Sequence, residues 1–274
     1  MDLTNIKLVI TDMDGTLLNS NHEVSKQFLN LFYDLKKEGI YFVAASGRPY
    51  YSILDKLHTI KDEITIVAEN GAYVVHDNEI LANNIISPKS ISEISKTIYN
   101  LNGTHPIYCT RKKAYIMDSS LEIIQIIKEY YSDFQIINHI SEIKDDVIKI
   151  ALYNDVSAEK YIFPNVSSLA KDFKVIVSGQ HWVDISDYKS NKGEALKLLQ
   201  KKFNVLPEEI LAFGDYNNDL EMLSQSKYSF AMANAHPNVK AIAKYETLSN
   251  NDLGVEVVLA DLIFQKNQTK KRNN

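Results

Sequence analysis

Four short apolar runs of this 274-residue sequence lead into side chains that could carry out chemistry. The most distinctive are two carboxylates, Asp12 and Asp14, which follow the run "IKLVIT" and end in a Gly-Thr turn at residues 15 and 16. Neighbouring carboxylates repel each other, so a fold that keeps them together has to supply positive charge. The other runs lead into polar segments with similar potential: Ser46-Gly47-Arg48, Glu69-Asn70-Gly71, and Gly214-Asp215 followed by Asn217-Asn218-Asp219.

A hard divalent cation is the usual compensation for such a set of oxygen ligands. Mg²⁺ binds a few carboxylate oxygens and keeps several waters or a substrate phosphate in its octahedron. Asp12, Asp14 and Asp215 are therefore predicted to form a magnesium site. Any one of them alone is better explained as a turn former or a helix N-cap. Their occurrence at two different strand ends favours the metal.

The remaining polar residues indicate a phosphate site. Ser46 and Gly47 precede a predicted helix, where a hydroxyl and exposed backbone N–H groups can hold an anion. Lys192, just before a later helix, could add a positive charge, although a single lysine is more often a solvated surface residue. The sequence contains neither G-x-x-x-x-G-K-[ST] nor G-x-G-x-x-G, which argues against a P-loop NTPase or a dinucleotide enzyme.

These residues need a parallel sheet to bring them together, and the apolar runs predict one. Runs this short and rich in branched or aromatic residues are typical of strands buried on both faces. Between the first two runs an apolar stripe with helical spacing, from Val24 to Leu35, ends before Gly39. The predicted strands of the α/β core are 6–11, 40–45, 64–68, 209–213 and 229–233.

The middle of the chain follows a different pattern, with strands adjacent to strands. It predicts an antiparallel sheet with helices on one face. The segments, in order, are a helix at 91–101, strands around 107–118, a helix at 121–131, a strand at 147–153, a helix at 157–171, and strands at 174–179 and 182–186. The predicted organisation is an α/β core over 1–83 and 187–266, an inserted α+β cap over 84–186, and a frayed tail over 267–274.

The polar segments resemble the motifs of the haloacid dehalogenase-like (HAD) phosphatase superfamily, in particular its Cof-type subclass IIB. This resemblance implies a Rossmann-like core with a cap inserted between the second and third motifs, and it covers the whole chain except the tail. The four motifs are, in order, "DMDGTLL" (12–18), "SGR" (46–48), "NKG" (191–193) and "GDYNND" (214–219), and "AENGA" (68–72) resembles the stretch that follows the third strand in this subclass.

The resemblance also implies a role for each matching residue. Asp12 would be the nucleophile that forms an aspartyl-phosphate, and Asp14 the general acid and base. Mg²⁺ would be held by both of these residues, Asp14 through its backbone carbonyl, and by Asp215. Asp219 would orient the lysine or a metal-bound water. The phosphoryl oxygens would be held by Ser46, the N–H groups of Met13 and Gly47, Lys192 and Asn218, with Arg48 beside them.

Composition limits the partners and the location. A net charge of −5 with no basic stripe makes nucleic acid an unexpected partner. Membrane association is not expected either, because no apolar segment approaches the roughly 20 residues needed to cross a bilayer. One cysteine and an N-terminus without signal-peptide features indicate the cytoplasm. The sequence leaves the oligomeric state undecided.

The predicted function is Mg²⁺-dependent hydrolysis of a small phosphorylated metabolite. The resemblance favours sugar phosphates, with flavin mononucleotide and pyridoxal phosphate as alternatives. A sugar phosphomutase and a non-catalytic sugar-phosphate-binding regulator remain open. Substrate choice is expected to lie in the cap, where Arg111, His181 and Trp182 are candidates and each is equally well explained by solvation or packing.

Overall fold

The computed structural model describes residues 1–117 and 119–273, which form two β-sheets with helices around them. The strands are β1 (Leu8–Thr11), β2 (Tyr41–Ala45), β3 (Thr65–Ala68), β4 (Tyr73–His76), β5 (Glu79–Asn83), β6 (His105–Thr110), β7 (Ala114–Met117), β8 (Phe134–Ile137), β9 (Val147–Tyr153), β10 (Phe173–Gly179), β11 (Trp182–Asp187), β12 (Ile210–Gly214), β13 (Tyr228–Ala231) and β14 (Tyr245–Glu246). The helices are α1 (Lys26–Lys37), α2 (Tyr50–Lys56), α3 (Pro88–Ile98), α4 (Leu121–Lys128), α5 (Ala158–Tyr161), α6 (Phe163–Val166), α7 (Lys192–Phe203), α8 (Leu220–Ser224), α9 (Pro237–Ile242) and α10 (Gly254–Asn273).

The larger sheet has eight strands in the order β14-β13-β12-β1-β2-β3-β4-β5. Strands β14 to β3 are parallel, so their carboxyl ends lie along one edge. Strand β1 is central and every residue in it is buried, as the apolar run predicts. The sequence does not predict β4 and β5, an antiparallel hairpin whose turn residues Asp77 and Asn78 both have positive φ. The α/β fold class is confirmed.

Helix α1 connects β1 to β2 and forms where the apolar stripe predicts it. The Ser25 side chain caps its first turn by accepting a hydrogen bond from the Phe28 N–H. Phe28, Phe32 and Leu35 are buried against the sheet. Gly39, with φ of 68°, follows the helix in a conformation that glycine adopts without strain.

The smaller sheet has six strands in the order β10-β11-β9-β6-β7-β8, and we call it, with helices α3 to α6, the cap. Two details differ from the sequence prediction. Strands β7 and β8 are parallel, so the sheet is mixed. Helices α3, α5 and α6 pack on one face, whereas α4 packs on the other, where its Ile127 meets Ile107 and Ala151. Strand β9 is buried throughout, and apart from Lys149 its residues are apolar on both faces of the sheet, so helices cover both faces.

The structure also differs from the prediction in two helical segments. The predicted helix over 157–171 is divided into α5, α6 and a 3₁₀ turn, and Pro164, which lacks an N–H, stands inside this stretch. The C-terminal residues predicted to fray are helical as far as Asn273, and Lys270 Nζ lies 2.7 Å from Oε1 of Glu38, the residue that caps the C-terminus of α1. Asp118 and Asn274, the ends of the predicted 107–118 and 267–274 segments, lie outside the described residues.

The predicted domain boundaries coincide with strand ends to within a residue, since β5 ends at Asn83 and β11 at Asp187. The division of the chain at these points stays a prediction. Among the helices of the described residues, none has both the length and the apolar character that a membrane crossing requires.

Candidate active site

Asp12 and Asp14 lie in the tight turn that follows β1, at the edge where the parallel strands end. The Met13 carbonyl closes this turn by accepting hydrogen bonds from the Thr16 and Leu18 N–H groups. Gly15 has φ of 78°, and a side chain there would collide with the Asp215 carboxylate. The turn therefore needs glycine both for its backbone conformation and for the close approach of the strand β12 loop.

Lys192 compensates the charge on Asp12 from the first position of α7. The Asn191 side chain caps this helix by accepting a hydrogen bond from the Glu194 N–H. Lys192 is fully buried, and its ammonium forms ion pairs with Asp12 and with Asp219, the latter at 2.7 Å. Asp219 Oδ2 accepts hydrogen bonds from the backbone N–H groups of Asp215 and Tyr216. Asp219 thus connects the lysine to the β12 loop.

Three carboxylates surround this single ammonium group. Oxygens of Asp12, Asp215 and Asp219 lie within 4.8 Å of one another. Burial raises the pKa of Asp12 to about 7 against the opposing effect of Lys192. Burial and the neighbouring charge of Asp12 raise the pKa of Asp215 well above its usual range. The protein therefore supplies too little positive charge here to keep all three carboxylates ionised.

This donor set fits Mg²⁺. Asp219 already uses its oxygens for Lys192 and two backbone N–H groups, which leaves the oxygens of Asp12 and Asp215 as the available hard ligands. The side chain of Asp14, a predicted member of the metal site, points elsewhere, to Arg48 and His22. Its expected contribution through the backbone carbonyl stays a prediction.

Asp14 is held in a two-point ion pair by Arg48. The Arg48 Nε and Nη2 atoms each lie 2.7 Å from a different oxygen of Asp14, and His22 Nδ1 lies 3.1 Å from Oδ1. Burial raises the pKa of Asp14, but the hydrogen bond from His22 and the charge of Arg48 outweigh it and hold that pKa well below its usual range. Asp12 and Asp14 therefore occupy opposite electrostatic environments only two residues apart.

Arg48 also joins the core to the cap. Its Nη1 donates to the Glu129 carbonyl at 3.0 Å, and its guanidinium lies 5.0 Å from the centre of the Tyr130 ring. His22 packs edge-on against the same ring. Sequence reasoning missed both His22 and Tyr130, because neither belongs to a motif.

The loop after β2 presents the groups predicted to hold phosphate. The Arg48 N–H donates to Ser46 Oγ at 3.0 Å, which leaves the Ser46 hydroxyl proton available to a ligand. Within the described residues, the N–H groups of Met13 and Gly47 have no hydrogen-bond acceptor. Asn218 donates to Asn70 Oδ1 at 3.0 Å. Unsatisfied amides near a buried lysine are a suitable environment for an anion.

A cavity of about 400 Å³ lies between these core residues and the cap. Asp12, Asp14, Ser46 to Arg48, Asp215 and Asn218 line its core side. Met13 and Lys192 are fully buried behind this surface. Lys192 pairs with Asp12, which itself lines the cavity. Of the predicted cap residues, His181 and Trp182 line the cavity, whereas Arg111 is exposed in the β6–β7 turn. The cap residues of the lining are Tyr130, Tyr131, Lys149, residues 178–182 and Asp184.

A family model described as haloacid dehalogenase-like hydrolase matches residues 9–259. The chain belongs to this family. The resemblance read from the motifs is therefore confirmed, as is the prediction of a phosphoric monoester hydrolase.

Individual relatives cover nearly the whole chain. The 5-amino-6-(5-phospho-D-ribitylamino)uracil phosphatase YbjI of Escherichia coli is 31% identical over 91% of this chain and 93% of its own length. The structure of SMU.1108c from Streptococcus mutans has a TM-score of 0.88 and 30% identity, and covers 93% of this chain and 98% of that one. The HAD subclass IIB sugar phosphatase BT4131 shares the fold, with a TM-score of 0.82 at 20% identity over 93% and 98% of the two chains.

The buried lysine of this HAD-like hydrolase gives a stability prediction. Lys192→Met removes the only ammonium group that contacts the Asp12 and Asp219 carboxylates among the described residues. Leaving buried carboxylates unpaired costs about 3–5 kcal/mol, which corresponds to a fall of roughly 10 °C in melting temperature. Scanning calorimetry measures this change.

Lys197→Met is the matched control, because Lys197 lies on the same helix in an exposed ion pair with Glu194. Its melting temperature is expected to stay within about 2 °C of the wild-type value. Equal melting temperatures for the two variants would contradict the structural importance assigned to Lys192.

Proposed function

We propose that the protein hydrolyses phosphate monoesters of small metabolites in a Mg²⁺-dependent reaction through an aspartyl-phosphate on Asp12. One observation carries the proposal: Asp12 and Asp14 line one cavity with the Ser46-Gly47 loop, but in different surroundings. Asp12 pairs with a lysine and lies within 4.8 Å of two other carboxylates, whereas Asp14 contacts an arginine and a histidine. Two carboxylates in contrasting environments suit the separate tasks of nucleophile and acid.

The reaction proceeds in two balanced steps. In the first, a carboxylate oxygen of Asp12 attacks phosphorus, the ester P–O bond breaks, and Asp14 gives its proton to the departing oxygen. In the second, Asp14 takes a proton from water and the water oxygen attacks phosphorus. The bond between phosphorus and the Asp12 oxygen breaks, which restores the Asp12 carboxylate and yields inorganic phosphate. The N–H groups of Met13 and Gly47, the Ser46 hydroxyl and Asn218 hold the phosphoryl oxygens, and Lys192 neutralises charge.

Asp12, Asp215 and the Asp14 carbonyl would hold Mg²⁺, which would supply further charge neutralisation for the phosphoryl group. Asp14 can act as an acid only after Arg48 releases it. A dianionic phosphate entering the cavity competes with Asp14 for the guanidinium, and the freed Asp14 carboxylate can then take up a proton from solvent water. The Arg48 side chain thereby links substrate binding to the protonation of Asp14.

For the substrate we propose a sugar or sugar-alcohol phosphate, including one that carries a flat ring. The cap side of the cavity offers an aromatic pair, Tyr130 and Trp182, with ring centres 5.1 Å apart. Such rings can stack on a heterocycle or cover the apolar face of a sugar. The ribitylaminouracil phosphate named for YbjI combines a sugar-alcohol phosphate with a flat ring.

The test is phosphate release by the purified protein, with and without Mg²⁺. The panel contains hexose and ribitol phosphates, 5-amino-6-(5-phospho-D-ribitylamino)uracil, flavin mononucleotide and pyridoxal phosphate. Turnover that requires Mg²⁺ supports the proposal, and the best substrate identifies the class. Transfer to a second sugar hydroxyl with a need for a bisphosphate activator would instead support a mutase, and binding without turnover a regulator.

A further inference from the structure

A second lysine, Lys149 on cap strand β9, reaches from the cap into the phosphate loop of the core. It is 2% exposed, and its ammonium donates to the Gly47 carbonyl at 2.5 Å. The same ammonium lies 2.6 Å from Glu69 Oε2 of the core and 3.6 Å from Asp184 Oδ2 of the cap. No sequence motif contains Lys149.

Asp184, on the neighbouring strand β11, makes a parallel connection. Asn70 donates to Asp184 Oδ2 at 2.5 Å, and its own Oδ1 accepts the hydrogen bond from Asn218. A Cβ added at Gly47 would lie 3.1 Å from Asn70 Oδ1 and 3.5 Å from Asp184 Oδ2. Gly47 of the phosphate loop thus packs against both Asn70 and Asp184.

The charges of this cluster are costly to bury. Burial opposes the charged form of Lys149, but Asp184 and Glu69 together raise its pKa above the usual value. Burial raises the pKa of Glu69 to about 7 against the effect of Lys149, and Glu69 Oε1 has no hydrogen-bond partner in the described part of the chain. Buried ion pairs of this kind contribute little net stability compared with apolar packing. Their value lies in the geometry that they impose.

We propose that Lys149 and Asp184 are positioning residues through which the closed cap completes the phosphate site. The proposal rests on the phosphate-binding loop of the proposed function. Lys149 fixes the carbonyl of the Gly47–Arg48 peptide while Ser46 Oγ accepts its N–H, so this peptide cannot rotate. Asp184 fixes Asn70, which in turn orients the Asn218 amide. Opening of the cap releases both connections.

The experiment compares Lys149→Met with wild type in phosphate affinity and in turnover. Trp182 is the only tryptophan of the chain and lines the cavity, so its fluorescence can follow a titration with inorganic phosphate in the presence of Mg²⁺. We expect phosphate to bind about 10- to 100-fold more weakly, and kcat to fall about 100-fold, because misplacement of a binding group by about 1 Å has an effect of that size.

Two further variants separate positioning from stability. Lys149→Met/Glu69→Gln removes the lysine together with one of its carboxylates, so it avoids a buried unpaired Glu69 and is expected to fold while showing the same losses. Lys174→Met is the matched control, since Lys174 on cap strand β10 also pairs with a core residue, Glu221, but has no contact with the loop. It should bind phosphate with wild-type affinity.

The outcomes distinguish this proposal from the proposed function. Wild-type phosphate affinity and kcat in the folded double variant would overturn the positioning role and leave hydrolysis intact. Equal losses in Lys174→Met would overturn it as well, because any core–cap ion pair would then suffice. A third outcome is that the wild-type protein binds phosphate more tightly than Lys149→Met but hydrolyses no ester. That result would support the positioning role and refute the proposed hydrolysis.

Discussion

Asp12→Asn is expected to lower kcat about 10⁴- to 10⁶-fold, the range seen when single residues of a catalytic triad are removed. The amide keeps the size of the side chain but has no lone pair able to form the aspartyl-phosphate. Lys192 retains its contact with Asp219, so the variant is expected to fold. Phosphate release with the best substrate of the panel, measured under saturating conditions, gives the ratio.

Asp34→Asn serves as the control for this prediction. Asp34 is a partly exposed aspartate of α1 that pairs with Lys37 and belongs to none of the motifs. Its variant should keep wild-type activity. An Asp12→Asn protein that retains more than about one hundredth of the wild-type kcat would rule out Asp12 as the nucleophile.

Asp14→Asn is expected to lower kcat by an amount that depends on the leaving group. For a sugar phosphate, whose alkoxide needs a proton, removal of the general acid costs about 10²- to 10⁴-fold. For p-nitrophenyl phosphate, whose phenolate leaves unprotonated, formation of the aspartyl-phosphate should be nearly unaffected and only its hydrolysis should slow. An initial burst of nitrophenol followed by slow turnover is therefore expected in stopped-flow measurements.

The same substrate pair tests the alternative view of Asp14. If Asp14 acts only as a structural partner of Arg48, its replacement by asparagine will slow both substrates by the same factor. Equal losses without a burst would thus remove Asp14 from the chemistry.

The motif residues could be predicted because each follows an apolar run. In a parallel sheet the ends of β1, β2 and β12 meet at one edge, so Asp12, Ser46 and Asp215 come together whatever the details of packing. Lys192 could be placed beside them through the family resemblance, but its complete burial between two carboxylates could not be read from one sequence.

The cap contributions could not be predicted, because they depend on how two modules dock. Lys149 and Gly47 are 102 positions apart, and Asn70 and Asp184 are 114 positions apart. Lys149 lies in an otherwise apolar strand, where a lone lysine carries no spacing signal. The same limit applies to α4, whose apolar residues predict a helix but not the face of the sheet that it covers.

The most direct test of the account is mass spectrometry of the phosphoenzyme. The Asp14→Asn variant is mixed with p-nitrophenyl phosphate and Mg²⁺ and quenched in acid during the burst. We expect one phosphoryl group per chain, located on the peptide that contains Asp12 and absent from the Asp12→Asn/Asp14→Asn protein. Nitrophenol release with no phosphoryl group on Asp12 would contradict the aspartyl-phosphate mechanism.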